Sequence, residues 1–312
     1  MAESDQPSTQ VRVMLWAPPQ SLSTSFQKCL SFVDDIQIIN EPYQCAAANN
    51  PDPVITCTPD SMQEVVQEGY KNPLGAFISG VESVQLEEDL EKVVWDNKLC
   101  TPSWVKNLLE GEFPGKKVVF AKDIICGIRD QYHMIPEGYR HTFLIRNPTK
   151  LTLSQRRISK KLFPLPEDEF SLLKIPLIFR DWYEPMLDFI QYLKDKNIEK
   201  NPIIIDADDL QDYPQSIVRQ YCEALGIPYS DRLLRWPAGN GCVKNTWLVS
   251  KLALQGNEII GFYKSALAST KFEPSKPVPP ANEIPSDVFE VVKHEEGCYQ
   301  KLYEMRIMPN KC

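Results

Sequence analysis

An α/β fold built on a parallel sheet is what this chain predicts, and three observations predict it. Five short apolar runs of strand length recur along the 312 residues. Helical patterns with recognisable starts and stops lie between them, and no apolar stretch approaches the length that spans a membrane.

The elements follow in order. Val11-Arg12-Val13-Met14-Leu15-Trp16 is the first strand, closed by Pro18-Pro19. A helix starts near Ser23 and places Phe26, Cys29, Leu30 and Val33 on one face. Gln37–Asn40 is a short second strand, and 42–60, rich in Pro, Asn and Ala, reads as irregular. Helical segments are expected over 61–70 and 82–95. Lys117–Ala121 is the third strand and His141–Ile145 the fourth. Asn147 can cap a helix that has Pro148 at its first position and ends before Pro164. Another helix covers 180–195. Pro202–Asp206 is the fifth strand, and Tyr213–Leu225 the helix after it, stopped by Gly226. Helices near 258–269 and 286–305 flank a Pro-rich stretch, Pro274–Pro285. The domain reading is a flexible tail over 1–10 and a single domain over 11–312, with 237–312 serving as lid and helices.

Composition narrows the function classes. Hydrophobic residues at 43% and charged residues at 24% are ordinary for a globular chain long enough to bury a large core. A net charge of −8 argues against a nucleic-acid binder, so an anionic ligand needs a local cationic pocket. Met1–Gln10 lacks the basic-then-apolar order of a signal peptide. The nine cysteines are scattered with no C-x-x-C pair, which fits reduced thiols in the cytoplasm. His133, His141 and His294 lack metal-ligand spacing, and no metal is expected.

Function concentrates at strand ends. The turn Ala17-Pro18-Pro19-Gln20-Ser21-Leu22-Ser23-Thr24-Ser25 joins a strand to a helix, an arrangement that aims backbone N–H groups, hydroxyls and the positive helix end at one anion. On local sequence alone, Ser23 or Thr24 as a plain helix cap is an equal alternative. The Walker pattern is absent, because the loop has neither Gly nor Lys, which makes an ATP-dependent kinase the least supported reading. Arg146 ends the fourth strand and Ser154 follows on the next helix, a fixed-charge fork and a hydroxyl at the sheet edge where open α/β folds bind ligands.

Read as Pro19-Gln20-Ser21-Leu22-Ser23-Thr24, the loop resembles the 5′-phosphosulfate loop of sulfotransferases, P-[KR]-S-x-[ST]-T, and most closely a branch with P-R-S-L-S-T. Arg146 with Ser154 eight positions on resembles the 3′-phosphate motif of the same family. Ile205-Asp206-Ala207-Asp208-Asp209-Leu210 with Leu225-Gly226-Ile227-Pro228 resembles its late strand and helix end. The resemblance spans roughly residues 11–236, with Trp247 and Tyr263–Phe272 more distantly similar; those aromatics belong either to a lid or to the core.

It implies a P-loop NTPase-like three-layer sandwich with a five-stranded parallel sheet flanked by helices. It also implies direct in-line transfer of a sulfuryl group from 3′-phosphoadenosine 5′-phosphosulfate to a hydroxyl or amine of a small molecule, releasing adenosine 3′,5′-bisphosphate. Side chains rather than a metal would supply the charge. The implied donor site is Pro19, Gln20, Ser21, Leu22, Ser23, Thr24, Ser25, Arg146 and Ser154. Neither nucleic acid nor membrane is expected as a partner, and a homo-oligomer is compatible with the chain.

Such a transfer needs a base near the loop. Glu41 directly follows the second strand and matches an E-P segment that carries the base in some members. Lys122, after the third strand, is similar in position to a lysine that assists the transferring group; its local alternative is a pair with Asp123. Two departures from the family matter. Gln20 stands where a Lys or Arg neutralises developing charge, and losing such a contact costs roughly 10²–10³ in rate. Ser25 stands where an adenine-stacking aromatic is usual. A catalytically weakened nucleotide-binding homologue is therefore the main alternative, with Lys122 the candidate to replace the missing charge. The basic run Arg156, Arg157, Lys160 and Lys161 is either a steering patch or a solvated helix face.

Overall fold

The computed structural model describes residues 10–49, 81–162, 165–174 and 181–310. The expected helix over 61–70 and the tail over 1–9 lie outside them. The elements are β1 (Val11–Ala17), α1 (Ser23–Leu30), β2 (Ile36–Asn40), α2 (Pro42–Asn49), α3 (Glu88–Glu91), β3 (Val94–Trp95), α4 (Pro102–Glu110), β4 (Val118–Ile124) and β5 (Arg140–Ile145). There follow α5 (Pro148–Leu162), α6 (Tyr183–Asp195), β6 (Ile203–Asp206), α7 (Ala207–Asp212), α8 (Pro214–Leu225) and α9 (Gly241–Thr246). The last are β7 (Trp247–Ser250), α10 (Lys251–Ile260), α11 (Lys264–Ala268) and α12 (Ser286–Glu304).

The sheet is parallel throughout, in the order β3-β7-β2-β4-β1-β5-β6. Among the described residues it has seven strands, not the expected five. The two additions, β3 with two residues and β7 with four, are too short for a period-2 pattern to register. β7 also lies within the segment expected to be lid and helices, yet it pairs directly with β2.

Alternation along the strands divides the core between the two faces of the sheet. Val13, Leu15, Ile38, Phe120 and Leu144 pack on one face with Phe26 and the buried side of α8. Met14, Trp16, Ile39, Val119, Ala121 and Phe143 pack on the other with Tyr43, Val105 and Phe189. β1 and β4 are buried almost throughout, as central strands covered on both sides must be. Trp247, Tyr263 and Phe272 belong to the first of these clusters, so the core alternative holds for Trp247 and Phe272, whereas Tyr263 packs in the core and also borders a cavity.

Local signals set several boundaries. The Asn147 Oδ1 accepts from the N–H groups of Thr149 at 3.1 Å and Lys150 at 3.3 Å, capping α5. Gly226 ends α8 with φ 72°. Four expectations need correction. The start of 42–60 is helical over Pro42–Asn49, because proline is tolerated at the first helical position. Of 82–95, only Glu88–Glu91 forms a separate helix, and Val94–Trp95 is strand. The helix near 258–269 is two helices: Ser250 caps the first through the Ala253 N–H at 3.2 Å, and Gly261 at φ 79° ends it. The third strand runs on through Ile124, which takes Lys122 and Asp123 into the sheet. Among the described residues no helix is long and apolar enough to cross a membrane.

Candidate functional site

Parallel register brings the carboxyl ends of four strands to one edge. Asn40 pairs with Lys122, Trp16 with Asp123 and Ala17 with Ile124, while β5 runs on the far side of β1. The residues that follow β1, β2 and β5 therefore meet above Lys122, at the crevice where open α/β sheets bind ligands.

The loop after β1 is held in an uncommon shape. Gln20 and Leu22 take left-handed backbone angles, φ 66° and 76°, that L-residues adopt at a cost of about 1–3 kcal/mol. Leu22 occupies the capping position of α1 and no side chain caps that helix, so the plain-cap alternative for Ser23 or Thr24 is not what forms. The Ser21 hydroxyl is fully buried and has no partner among the described residues. An uncapped helix start beside an unpartnered hydroxyl suits an anionic ligand.

Arg146, Ser154 and Gln155 grip the loop from β5 and α5. Arg146 donates through Nη1 to the Gln20 carbonyl at 2.6 Å, and Gln155 through Nε2 to the Pro19 carbonyl at 3.2 Å. The Ser154 hydroxyl donates to Gln20 Oε1 at 3.2 Å and accepts from Arg157 at 3.3 Å. Arg146 Nε is buried and unpartnered, and among the described residues no carboxylate pairs with this guanidinium. Burial lowers its pKa, a tendency an arriving anion would reverse. The Gln20 side chain, expected at the transferring group, thus reaches toward Ser154.

Among the described residues, two cavities adjoin this site. One, of about 610 Å³, is lined by Arg146, Lys150, Arg156, Arg157, Lys160 and Lys276 among others. It is the local cationic pocket that the acidic composition calls for. The basic run on α5 is divided: Arg157 and Lys161 are exposed, as on a solvated helix face, while Arg156 and Lys160 are tied into ion pairs. Arg156 pairs with Asp287 at 3.1 Å and Glu167 at 2.9 Å, Lys160 pairs with Glu167, and Lys161 donates to the Ile260 carbonyl at 2.9 Å.

The other cavity, of about 350 Å³, has mainly apolar walls, among them Ile124, Trp182, Leu252 and Phe262. Gln20, Ser23 and Thr24 line its loop side, and Glu41 and Lys122 its floor. Lys122, 2% exposed, pairs with Glu41 Oε1, and the Tyr263 hydroxyl donates to Oε2 at 3.0 Å. Asn40 in turn donates to the Tyr263 oxygen at 2.9 Å. The local alternative for Lys122, a pair with Asp123, does not occur, because neighbours on a strand point to opposite faces. Trp182, Gln155 and Tyr263's contact with Glu41 escape sequence reasoning; each depends on a partner far away in the chain.

The histidines behave differently from their spacing. His141 is buried, accepts from Trp16 Nε1 at 3.0 Å, and is held down to about 3 by burial. His133 is exposed. His294 lies beside Asp181 at 2.9 Å, with Glu295 close by, a cluster that chain spacing hides. Both Glu295 oxygens already accept backbone N–H groups, from Trp182 and Tyr183 at 3.1 Å each.

Residues 196–280 match the family model of a sulfotransferase domain. That segment covers β6 through α11 and leaves the 18–24 loop, Arg146 and Ser154 outside it. Two curated proteins of Arabidopsis thaliana are similar, branched-chain-amino-acid aminotransferase-like proteins 2 and 1. They are 28% identical over 229 residues and 24% over 268, covering 72% and 85% of this chain. The chain spans about a third of their length, 31% and 37%. Among solved structures, the sulfotransferase domain of the Synechococcus PCC 7002 olefin synthase is similar, with 16% identity and a TM-score of 0.44; the alignment covers 91% of this chain and 94% of that one.

Proposed function

We propose that this chain transfers a sulfuryl group from 3′-phosphoadenosine 5′-phosphosulfate to a hydroxyl or amine of a small, largely apolar molecule in the cytoplasm. One observation carries the reading: an uncapped helix start, a buried Arg with an unpartnered Nε, and a Glu–Lys pair meet at one sheet edge between a cationic and an apolar cavity. The match of residues 196–280 to a sulfotransferase domain supports it independently of those residues.

Each group then has a task. The N–H groups of Ser23, Thr24 and Ser25 and the Ser21 hydroxyl receive the 5′ end of the donor, where charge collects as the sulfur–oxygen bond breaks. Arg146, Ser154 and Arg157 receive the 3′-phosphate. The acceptor lies against Trp182 and Phe262 with its reacting atom over Glu41, which takes the proton as the new bond to sulfur forms. Lys122, paired with Glu41 at rest, is released toward the transferring group as Glu41 takes up the proton, and so supplies the cation that Gln20 cannot. Side chains and the helix end provide all the charge this reading needs, so turnover should be indifferent to chelators.

Gln20 favours a second reading. Uncharged and bonded to Ser154, it fits a protein that keeps the donor nucleotide and turns over slowly. Calorimetric binding of adenosine 3′,5′-bisphosphate to wild type and Arg146→Ala tests the donor site first. Tight binding lost in the variant supports both readings, and transfer of labelled sulfate to a panel of alcohols, phenols and amines then separates them. No binding by the wild-type chain would overturn both.

A further inference from the structure

Glu41 stands just before α2, where a helix usually draws its side-chain cap. It cannot provide one. Its backbone is left-handed, with φ 55°, and its two carboxylate oxygens are taken by Lys122 and by the Tyr263 hydroxyl on the cavity side. The first N–H groups of α2 are nevertheless enclosed and need acceptors.

They find them on β4. The Tyr43 N–H donates to Asp123 Oδ2 at 2.6 Å, and the Gln44 N–H to Oδ1 at 3.0 Å. Asp123 is 0% exposed, and its Oδ1 also accepts the Ile124 N–H at 2.8 Å. The backbone behind it is closed: a Cβ on Gly127 would come within 2.7 Å of the Gln44 nitrogen and 2.8 Å of the Tyr43 carbonyl carbon. The Glu41 N–H meanwhile donates to the Lys122 carbonyl at 2.7 Å, prolonging the β2–β4 ladder by one residue. Consecutive residues of one strand thus act on Glu41 from two faces, Lys122 on its carboxylate and Asp123 on the helix that follows it.

We infer that Asp123 is a positioning residue: it caps α2 in place of Glu41 and so leaves the Glu41 carboxylate turned into the cavity. The catalytic consequence rests on the sulfuryl-transfer reading of Glu41, whereas the cap does not. Burial pushes the Asp123 carboxyl up to about 8, opposed by its backbone donors and reinforced by Glu41 nearby. The three N–H groups favour the ionised carboxylate against that burial.

The experiment uses the full chain and four variants: Asp123→Ala, Asp123→Asn, Glu41→Gln, and Asp123→Ala with Glu41→Gln. Residue-resolved amide exchange reads the cap directly. Asp123→Ala should speed exchange at Tyr43 and Gln44 by roughly tenfold or more, since each loses its acceptor. Asp123→Asn, which keeps one carbonyl oxygen, should do less, and α8 should exchange as in wild type. Affinity for adenosine 3′,5′-bisphosphate should hold within about twofold, because Arg146 and the loop are untouched. In transfer to 4-nitrophenol or an active member of the acceptor panel, kcat should fall at constant donor KM. Asp123→Ala should then cost little more in the Glu41→Gln background.

Unchanged exchange at Tyr43 and Gln44 in both Asp123 variants overturns the inference. So does an equal loss of kcat with and without Glu41. Should Asp123→Ala fail to fold, Asp123→Asn carries the same two readouts. Full turnover by Glu41→Gln would remove Glu41 as base and sink the proposed mechanism, while the exchange result still decides the cap.

Discussion

One cavity has its wall formed by Arg146, Lys150, Arg157 and Lys276; the other has its wall formed by Trp182, Leu252 and Phe262, with the Glu41–Lys122 pair at its floor. The cations of the first wall are bound mainly to backbone carbonyls, hydroxyls and partly exposed acids. The charges of the second neutralise each other within the site. A wall of the first kind selects by charge, because an anion gains contacts that water and carbonyls only partly replace. A wall of the second kind selects by shape and admits uncharged molecules, because a further charge would meet no free counterion there. The loop between them carries no net charge, and its own contribution is the direction of its N–H groups.

Removing one guanidinium should break the comparison most sharply. Arg146→Ala should weaken adenosine 3′,5′-bisphosphate binding by about 2–4 kcal/mol, roughly 30- to 1,000-fold, read by calorimetry. Glu41→Gln should do the opposite: affinity unchanged, with turnover lower by about 10²–10⁴-fold in labelled-sulfate transfer. If both variants lose affinity alike, the two walls form one ligand site and the division fails.

Gln20→Arg sharpens the contrast by putting charge into the neutral loop. An increase in kcat of up to about 10²-fold is expected, since a missing charge-stabilising donor is restored. An inactive chain that stays inactive shows that Gln20 is not the obstacle.

The two ends should also differ in their response to pH. Burial, with Asp208 beside it, raises the Asp206 carboxyl to about 6 at the β6 end, and burial raises Asp123 to about 8 below Glu41. In each case the folded chain keeps a proton that the unfolded chain loses near 4, so stability falls as pH rises from about 4 to the folded value. Each group contributes a slope of at most about 1.4 kcal/mol per pH unit. Asp206→Asn should flatten chemical-denaturation midpoints only below about pH 6, and Asp123→Asn up to about pH 8. His141, held near 3, has the opposite sign: its contribution is lost as pH falls below about 6.5.

How much of this was legible in the chain is clearest at particular residues. A strand's carboxyl end is a local property, and parallel strands share an edge. Arg146, Glu41 and the 18–24 loop could therefore be placed together from apolar runs and capping signals alone. The partner of Lys122 was not legible, because Glu41 becomes its neighbour only through the β2–β4 pairing. Nor was the bond from Gln20 to Ser154, which depends on how α5 lies across the loop. The helix at Pro42–Asn49 looked irregular because its cap comes from Asp123, 80 residues away.

What the sequence determined by itself was periodic and local. Five of the seven strands among the described residues, the start of α1, the starts and stops of α5 and α8, and the residue types at the sheet edge all follow from side-chain periodicity and signals within a few residues. Only the tertiary structure decided that β7 enters the sheet beside β2, that Lys122 faces Glu41 and Asp123 faces α2, and that one cavity is cationic and the other apolar. The reason is physical: short-range periodicity sets which face of an element is buried, whereas strand order and helix docking set which buried faces meet.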